Sequence, residues 1–321
     1  MLSLAASAGE LDTALAKIDQ VGPKGTGAAA AASAWETLAK ADATDIPTLL
    51  AAIEEDKPLA ANYIRSAIEA IADRQADQLP ADRLEQFVTQ TSNNPRARRL
   101  AYELLLRAQP QAEARLLPKM LNDPSVELRR DAVAALVAQA EGAAERKNLQ
   151  AAFDAAVDDD QVKAIAKRLK GLGEEVDIAR HYGFVMQWHI VGPFDNADEA
   201  GYDEAQGPEG QAIDLSETFK GSHDQGEVTW QKVVSEDDYG RVDLNKELDK
   251  HKSAIAYAVA TFHADEARPV ELRYKSKNAC KVWLNGKLID EREVYHADGS
   301  SRGRKTGRFN SASATTPARP C

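Results

Sequence analysis

The apolar residues of this chain change their period near residue 183, and that change limits the possible folds more than any other feature. Before it, apolar side chains recur at three- and four-residue steps. Leu11, Leu15 and Ile18 form one stripe, Trp35 and Leu38 the next, then Ile64, Ile68 and Ile71. Leu100, Leu104 and Leu105 follow, then Ala132, Leu136 and Val137, then Val162, Ile165 and Leu169. Each stripe is the buried face of an amphipathic helix. After residue 183, Phe184, Met186, Trp188 and Ile190 alternate with Val185, Gln187, His189 and Val191, which is the two-residue period of a strand. A helical half over residues 1–180 is expected to lead directly into a β half. Residues 187–196 supply its first strand, and Gly192-Pro193 should end that strand because proline gives a ladder no donor.

The breaks in the helical half repeat in kind. Asn94-Pro95, Asp123-Pro124 and Asp56-Lys57-Pro58 each set a capping side chain beside a proline, which suits the first helical turn. Pro47, Pro80 and Pro118 mark further helix starts or kinks. The glycines between 22 and 27 make a turn and lack the Gly-Lys-Ser/Thr ending of a phosphate-binding loop. About five helical hairpins follow one another at a spacing of roughly 30–40 residues, a period of stacked two-helix repeats. Leu136 is expected to be buried between two of them.

Residues 116–136 hold a proline in the first helix, Asp123-Pro124 at the corner, and Arg129 and Arg130 opening a helix of small apolar residues. This unit resembles a HEAT repeat, echoed from Asn94 to Ala101 and from Asp160 to Ala166. The resemblance implies an α-solenoid. Arg65, Arg98, Arg99, Arg129, Arg130, Lys163 and Lys167 fall on second helices. Arg65, Arg98 and Arg129 are therefore candidates for a basic stripe facing an acidic protein partner. The competing reading is an intramolecular ladder, in which each base pairs with the corner acid or Asn of a neighbouring repeat.

Further strands are expected over residues 228–234, 254–262, 270–274 and 281–284. Asn285-Gly286 then turns the chain into Lys287-Leu288-Ile289, because both residues tolerate the positive φ of a tight type I′ hairpin. The acidic, glycine-containing segment 195–227 should wrap the sheet with Ile213, Leu215 and Phe219 inward.

The set Trp188 to Phe194, Gly207-Pro208-Glu209, Val228-Thr229-Trp230, Ala256-Tyr257-Ala258 and Lys281 to Lys287 resembles a galactose-binding-like jelly-roll module. It is similar to modules fused to HEAT repeats or hydrolases in environmental, planctomycete-like bacteria. The resemblance covers residues 181–296, with the Trp-Leu-Asn-Gly hairpin as its most specific mark. It implies an antiparallel β-sandwich and a binding or adhesion role outside the cytoplasm. The jelly-roll pattern asks for closing strands after Tyr295. Residues 297–321 are instead rich in Ser, Arg, Gly, Thr and Ala, with Phe309 the only large apolar side chain. They are expected to be a disordered tail, and the sandwich to be incomplete at its C-terminus.

Composition narrows the function. Of 321 residues, 43% are hydrophobic and 28% charged, with a formal net charge of −11. That acidity opposes a general nucleic-acid role, which needs a concentrated basic face. No apolar run reaches membrane-spanning length. The start, Met1 to Ala8, is faintly signal-like but lacks a basic n-region and its apolar run is too short, so either the chain is cytoplasmic or its export signal lies upstream. Both ends read as incomplete. Cys280 and Cys321 do not make a disulfide framework, and the six histidines show no zinc spacing.

Gly299-Ser300-Ser301-Arg302-Gly303 matches a nucleophile elbow but lacks the flanking strand and helix that chemistry needs. No pair of carboxylates can be picked out as a glycosidase acid and base. Trp188, Trp230 and Trp283 read as core anchors. Tyr202 and Tyr239, in polar loops, are candidates for stacking on a sugar, beside Asp195 and Asn196 as hydroxyl partners on one rim. Asp195, Asn196, Asp198 and Glu199 could also hold a structural Ca²⁺, without EF-hand spacing. The reading that follows is a non-catalytic interaction or scaffold protein carrying a jelly-roll binding module, with no cofactor required. The alternatives are a strict carbohydrate-binding protein and a non-catalytic part of a larger hydrolase.

Overall fold

The computed structural model describes residues 7–222, 225–263, 268–294, 301–309 and 314–320. It divides into two compact units, Met1–Val176 and Asp177–Cys321. The first is helical and the second is built on antiparallel sheets. The signal-like start, residues 1–6, lies outside the described residues, as does Cys321.

In the helical unit, α1 (Ala8–Ile18) pairs with α2 (Ala28–Leu38), and α3 (Ile46–Ala51) with α4 (Pro58–Arg74). Then come α5 (Ala81–Thr89) and α6 (Pro95–Ala108), α7 (Ala112–Leu116) and α8 (Val126–Ala138), and α9 (Glu145–Ala155) and α10 (Asp159–Gly171). Of the three expected caps the one at Asn94 forms, whereas α4 starts after Lys57 without a side-chain cap and Ser125, not Asp123, caps α8. Asn94 accepts from the backbone N–H groups of Arg96 and Ala97 at 2.9 and 3.2 Å, and Ser125 caps α8 through Leu128. A continuous core runs through Leu11, Ile18, Leu38, Ile68, Leu84, Leu105 and Leu128. Leu136, expected to be buried between two hairpins, is only half-buried.

The β unit opens with α11 (Ile178–Tyr182), on the C-terminal side of the division although its sequence reads as the end of the helical half. Its strands are β1 (Gln187–Asp195), β2 (Thr218–Lys220), β3 (Glu227–Thr229), β4 (Gln231–Val234), β5 (Ala254–Phe262), β6 (Arg268–Ser276), β7 (Cys280–Leu284), β8 (Lys287–Arg292), β9 (Ser301–Phe309) and β10 (Ala314–Pro320). A short α12 (Leu244–Glu247) precedes β5. The main sheet is six-stranded in the order β4-β1-β5-β10-β7-β8, and β2-β3 and β6-β9 form two-stranded sheets. Both faces of β1 are covered. Ile190 packs with Val233, Leu248 and Ala258, while Val191 and Phe194 pack with Phe219, Ile255 and Tyr257 on the other side.

Several expectations change here. Gly192-Pro193 does not end β1; the strand passes it with a register shift between Val191 and Phe194. A bulge tolerates the missing N–H. Only glycine suits position 192, since its φ is 150° and a Cβ would lie 2.9 Å from the Ile255 carbonyl oxygen. The run over residues 228–234 breaks at Trp230 into β3 and β4. Phe219 is buried and Ile213 half-buried, but Leu215 is 43% exposed.

The largest correction concerns residues 297–321, expected to be without secondary structure. β9 pairs along its whole length with β6, and β10 lies between β5 and β7. The physical reason is that a ladder is made by main-chain groups. A segment too polar to build a core can still pair with an open strand edge. The Asn285-Gly286 hairpin is as expected, with φ of 50° and 76°.

Candidate functional site

The arginines of the second helices are engaged within the helical unit. Arg98 is 1% exposed. It forms a bidentate pair with Asp123, Nη1 to Oδ1 at 2.8 Å and Nη2 to Oδ2 at 2.7 Å, and its Nε donates to the Val88 carbonyl at 2.7 Å. Asp123 Oδ1 also accepts from the Ser125 N–H at 2.8 Å, so the Asp-Pro corner ties α6 to the start of α8. Arg98 is therefore buried structure, not a surface for an acidic partner. Packing closed over it because a guanidinium whose three nitrogens each reach an acceptor, two of them on a carboxylate, can be buried. Arg129 is half-buried and donates to the Asp123 carbonyl at 3.0 Å. Arg65 is exposed but shared between Glu69 at 2.9 Å and Glu103 at 3.7 Å; the hydrogen bond to Glu69 raises it above the usual guanidinium value. Arg99 joins Glu103 to Asp131, and Arg130 reaches Asp158 and Asp160. Arg130 in turn holds the Asp160 carboxyl down to about 2.

A second set of arginines escaped the sequence reading. Arg74 at the end of α4 donates to the Ala39 and Ala41 carbonyls after α2. Arg107 at the end of α6 reaches the Ala72 carbonyl and, at 2.6 Å, Asp73 on α4. Arg168 near the end of α10 donates to the Val137 and Ala140 carbonyls around the end of α8 at 3.2 and 2.7 Å. Each caps the C-terminus of the neighbouring helix, where free carbonyls and the negative end of the macrodipole attract a cation. The available signal was a basic residue in the last turn of alternate helices.

The four β-unit candidates do not form one rim. Asp195 and Asn196 end β1, while the Tyr239 loop follows β4, whose end at Val234 pairs with Gln187 at the start of β1. The length of β1 separates them, roughly 25 Å at the usual rise per residue. Tyr239 instead sits with Tyr182 and Phe184, with ring centroids 6.3 and 6.0 Å away, and Phe184 is 38% exposed. Tyr202 does lie close to Asp195 and Asn196 in sequence and fold, but it is 5% exposed and is no open platform. Lys281 donates to its carbonyl at 2.7 Å and lies 4.5 Å over its ring. The acid-rich loop hides Tyr202 because its polar main chain folds back onto the sheet. Asn196 is buried; its N–H donates to the Ser253 carbonyl at 3.0 Å, and its Oδ1 has no donor. Asp195 Oδ1 accepts from the Ala197 N–H at 3.0 Å.

Gly207-Pro208-Glu209 has a packing role. Phe194 fills the place where a Gly207 Cβ would be, and Glu209 accepts from the Tyr257 hydroxyl at 2.8 Å.

Among the described residues, no group of three or more His, Cys, Asp or Glu side chains is placed to hold a metal ion. None of the described helices is long and apolar enough to cross a membrane. Cys280 is buried and its thiol is pushed up by that burial, away from nucleophile character. Ser301 opens β9, while Gly299 and Ser300 of the nucleophile-like pattern lie outside the described residues. A groove of about 440 Å³ opens between α8 and α10, and a smaller one of about 240 Å³ between α4 and α6. No family model, curated protein or solved structure matches the chain.

Proposed function

We propose that the chain is a non-catalytic interaction protein, in which HEAT-like hairpins form an α-solenoid scaffold and the β unit is a jelly-roll binding module. The observation that carries this reading is the recurring arginine register. Arg74, Arg107 and Arg168 each reach the end of the neighbouring second helix, 28 to 35 residues away in sequence. A repeated contact of this kind stacks hairpins one on the next, and a stack presents an extended surface for a partner. The chemistry available agrees with it, since the described cysteine is buried and the arginines are committed to neighbours.

Carbohydrate binding by the β unit is the second reading, favoured by the partly exposed Tyr182, Phe184 and Tyr239 cluster. Aromatic faces of this kind stack on sugar rings. One experiment separates the two: the full chain is screened in parallel against a phage-displayed random peptide library and a glycan array. Enrichment of peptides with no glycan retained supports the scaffold. Glycan retention lost in Phe184→Ala, with no peptide enriched, favours the sugar reading and sinks the scaffold.

A further inference from the structure

The groove between α8 and α10 is apolar because its facing positions are small. Ala134, Val137 and Ala138 come from α8, with Ala164 and Ile165 from α10; Ile165 is 1% exposed at the floor, while Ala134, Ala138 and Ala164 are exposed. Larger side chains at these alanines would have filled the space.

The polar groups that line it are unbalanced. Gln161 uses its Nε2 on the Arg130 carbonyl at 2.9 Å, and its Oε1 is buried with no donor. Glu141 is exposed at the groove, and among the described residues its carboxylate makes no ion pair. Arg168, the cation of the lining, is spent on the Val137 and Ala140 carbonyls and on Glu145 at 2.7 Å. The groove thus offers apolar surface and acceptors, one of them charged.

The geometry points to a basic amphipathic peptide segment of a protein partner as the occupant. An apolar side chain lies on Val137 and Ile165, and a neighbouring Lys or Arg meets Glu141. This complements the groove in charge, whereas an acidic segment would add like charge beside Glu141. The groove is open along the helices, so a helix laid across it buries more surface than a small molecule held by so few groups. The inference rests on the scaffold reading and names its partner class and place.

Peptides selected on the full chain are titrated by fluorescence anisotropy against wild type, Ala164→Leu, which fills the groove, and Glu141→Lys, which reverses its charge. The expected peptides carry an apolar residue beside Lys or Arg, and each substitution weakens them on the order of tenfold or more. An unchanged melting midpoint shows that the variants are folded. Should Ala164→Leu fail to fold, Glu141→Lys decides alone, since residue 141 is exposed between helices. Peptides that are acidic, or that bind both variants as tightly as wild type, overturn the groove and leave the scaffold standing. If no peptide is selected at all, the scaffold reading falls, and this inference with it.

Discussion

The helical and β units close their structures over different distances along the chain. In the helical unit each hairpin is tied to the next. Arg98 meets Asp123, Arg99 meets Asp131, and Arg130 meets Asp160, at separations of 25, 32 and 30 residues. In the β unit the centre of the main sheet joins β1 to β5, and β10 then separates β5 from β7. Among the described residues, the β7-β8 hairpin pairs with the rest of the sheet through β10, a strand from the far end of the sequence. A stack of neighbours confines damage to one joint, whereas a sheet with an inserted last strand makes one segment a condition for another.

The largest expected effect tests that dependence. Deleting residues 301–320 should strip hydrogen-exchange protection from the amides of β7 and β8, because an isolated hairpin is marginal in water. β1 and the helical unit should keep theirs. Protection of β7 and β8 equal to that of the full chain would mean that β10 is not what holds them.

The helical joints offer the next contrast. Removing one partner of the buried Arg98–Asp123 pair, as Arg98→Met or Asp123→Leu, leaves an unpaired buried charge and should cost about 3–5 kcal/mol in urea unfolding. Combining the two should recover most of the loss, since an apolar pair leaves no orphan charge. A double variant as unstable as the sum of its parts would show that the pair holds the corner geometry rather than balancing charge.

The smallest effect is at Tyr102, 2% exposed, whose hydroxyl is buried without a partner. Tyr102→Phe should be neutral or stabilising by up to about 1 kcal/mol. Burial pushes the Tyr102 phenol up from 10.0 to about 12, so its neutral form is favoured in the fold. Stability from this group is complete below pH 10.0 and is lost as pH rises toward about 12. Tyr102→Phe should flatten that alkaline limb in denaturation curves measured across it; identical limbs would show that the fold does not shift this phenol.

The helices, the cap at Asn94 and the Asn285-Gly286 turn were legible because each depends on residues a few positions apart. The arginine ladder was half legible. A basic residue on a second helix is visible in sequence, but whether it faces a partner or a neighbouring carbonyl depends on how helices stack. Arg98 and Arg74 could not be told apart on that ground, though one is buried on an acid and the other exposed on a helix end. The candidate site fared worst. Asp195 and Tyr239 were placed on one rim, but they follow opposite ends of β1 once β4 runs antiparallel to it.

What the sequence determined by itself is the change from helix to strand near residue 183, carried by the period of apolar residues. Tertiary structure alone decided that Tyr202 lies under Lys281 and that a short segment of Ala, Thr, Pro and Arg enters the main sheet as β10. The reason is common to both. Local patterns are written in side chains within one or two turns, while strand pairing is made by main-chain groups that every residue but proline carries, so the partner of an edge is chosen by what the rest of the fold leaves open.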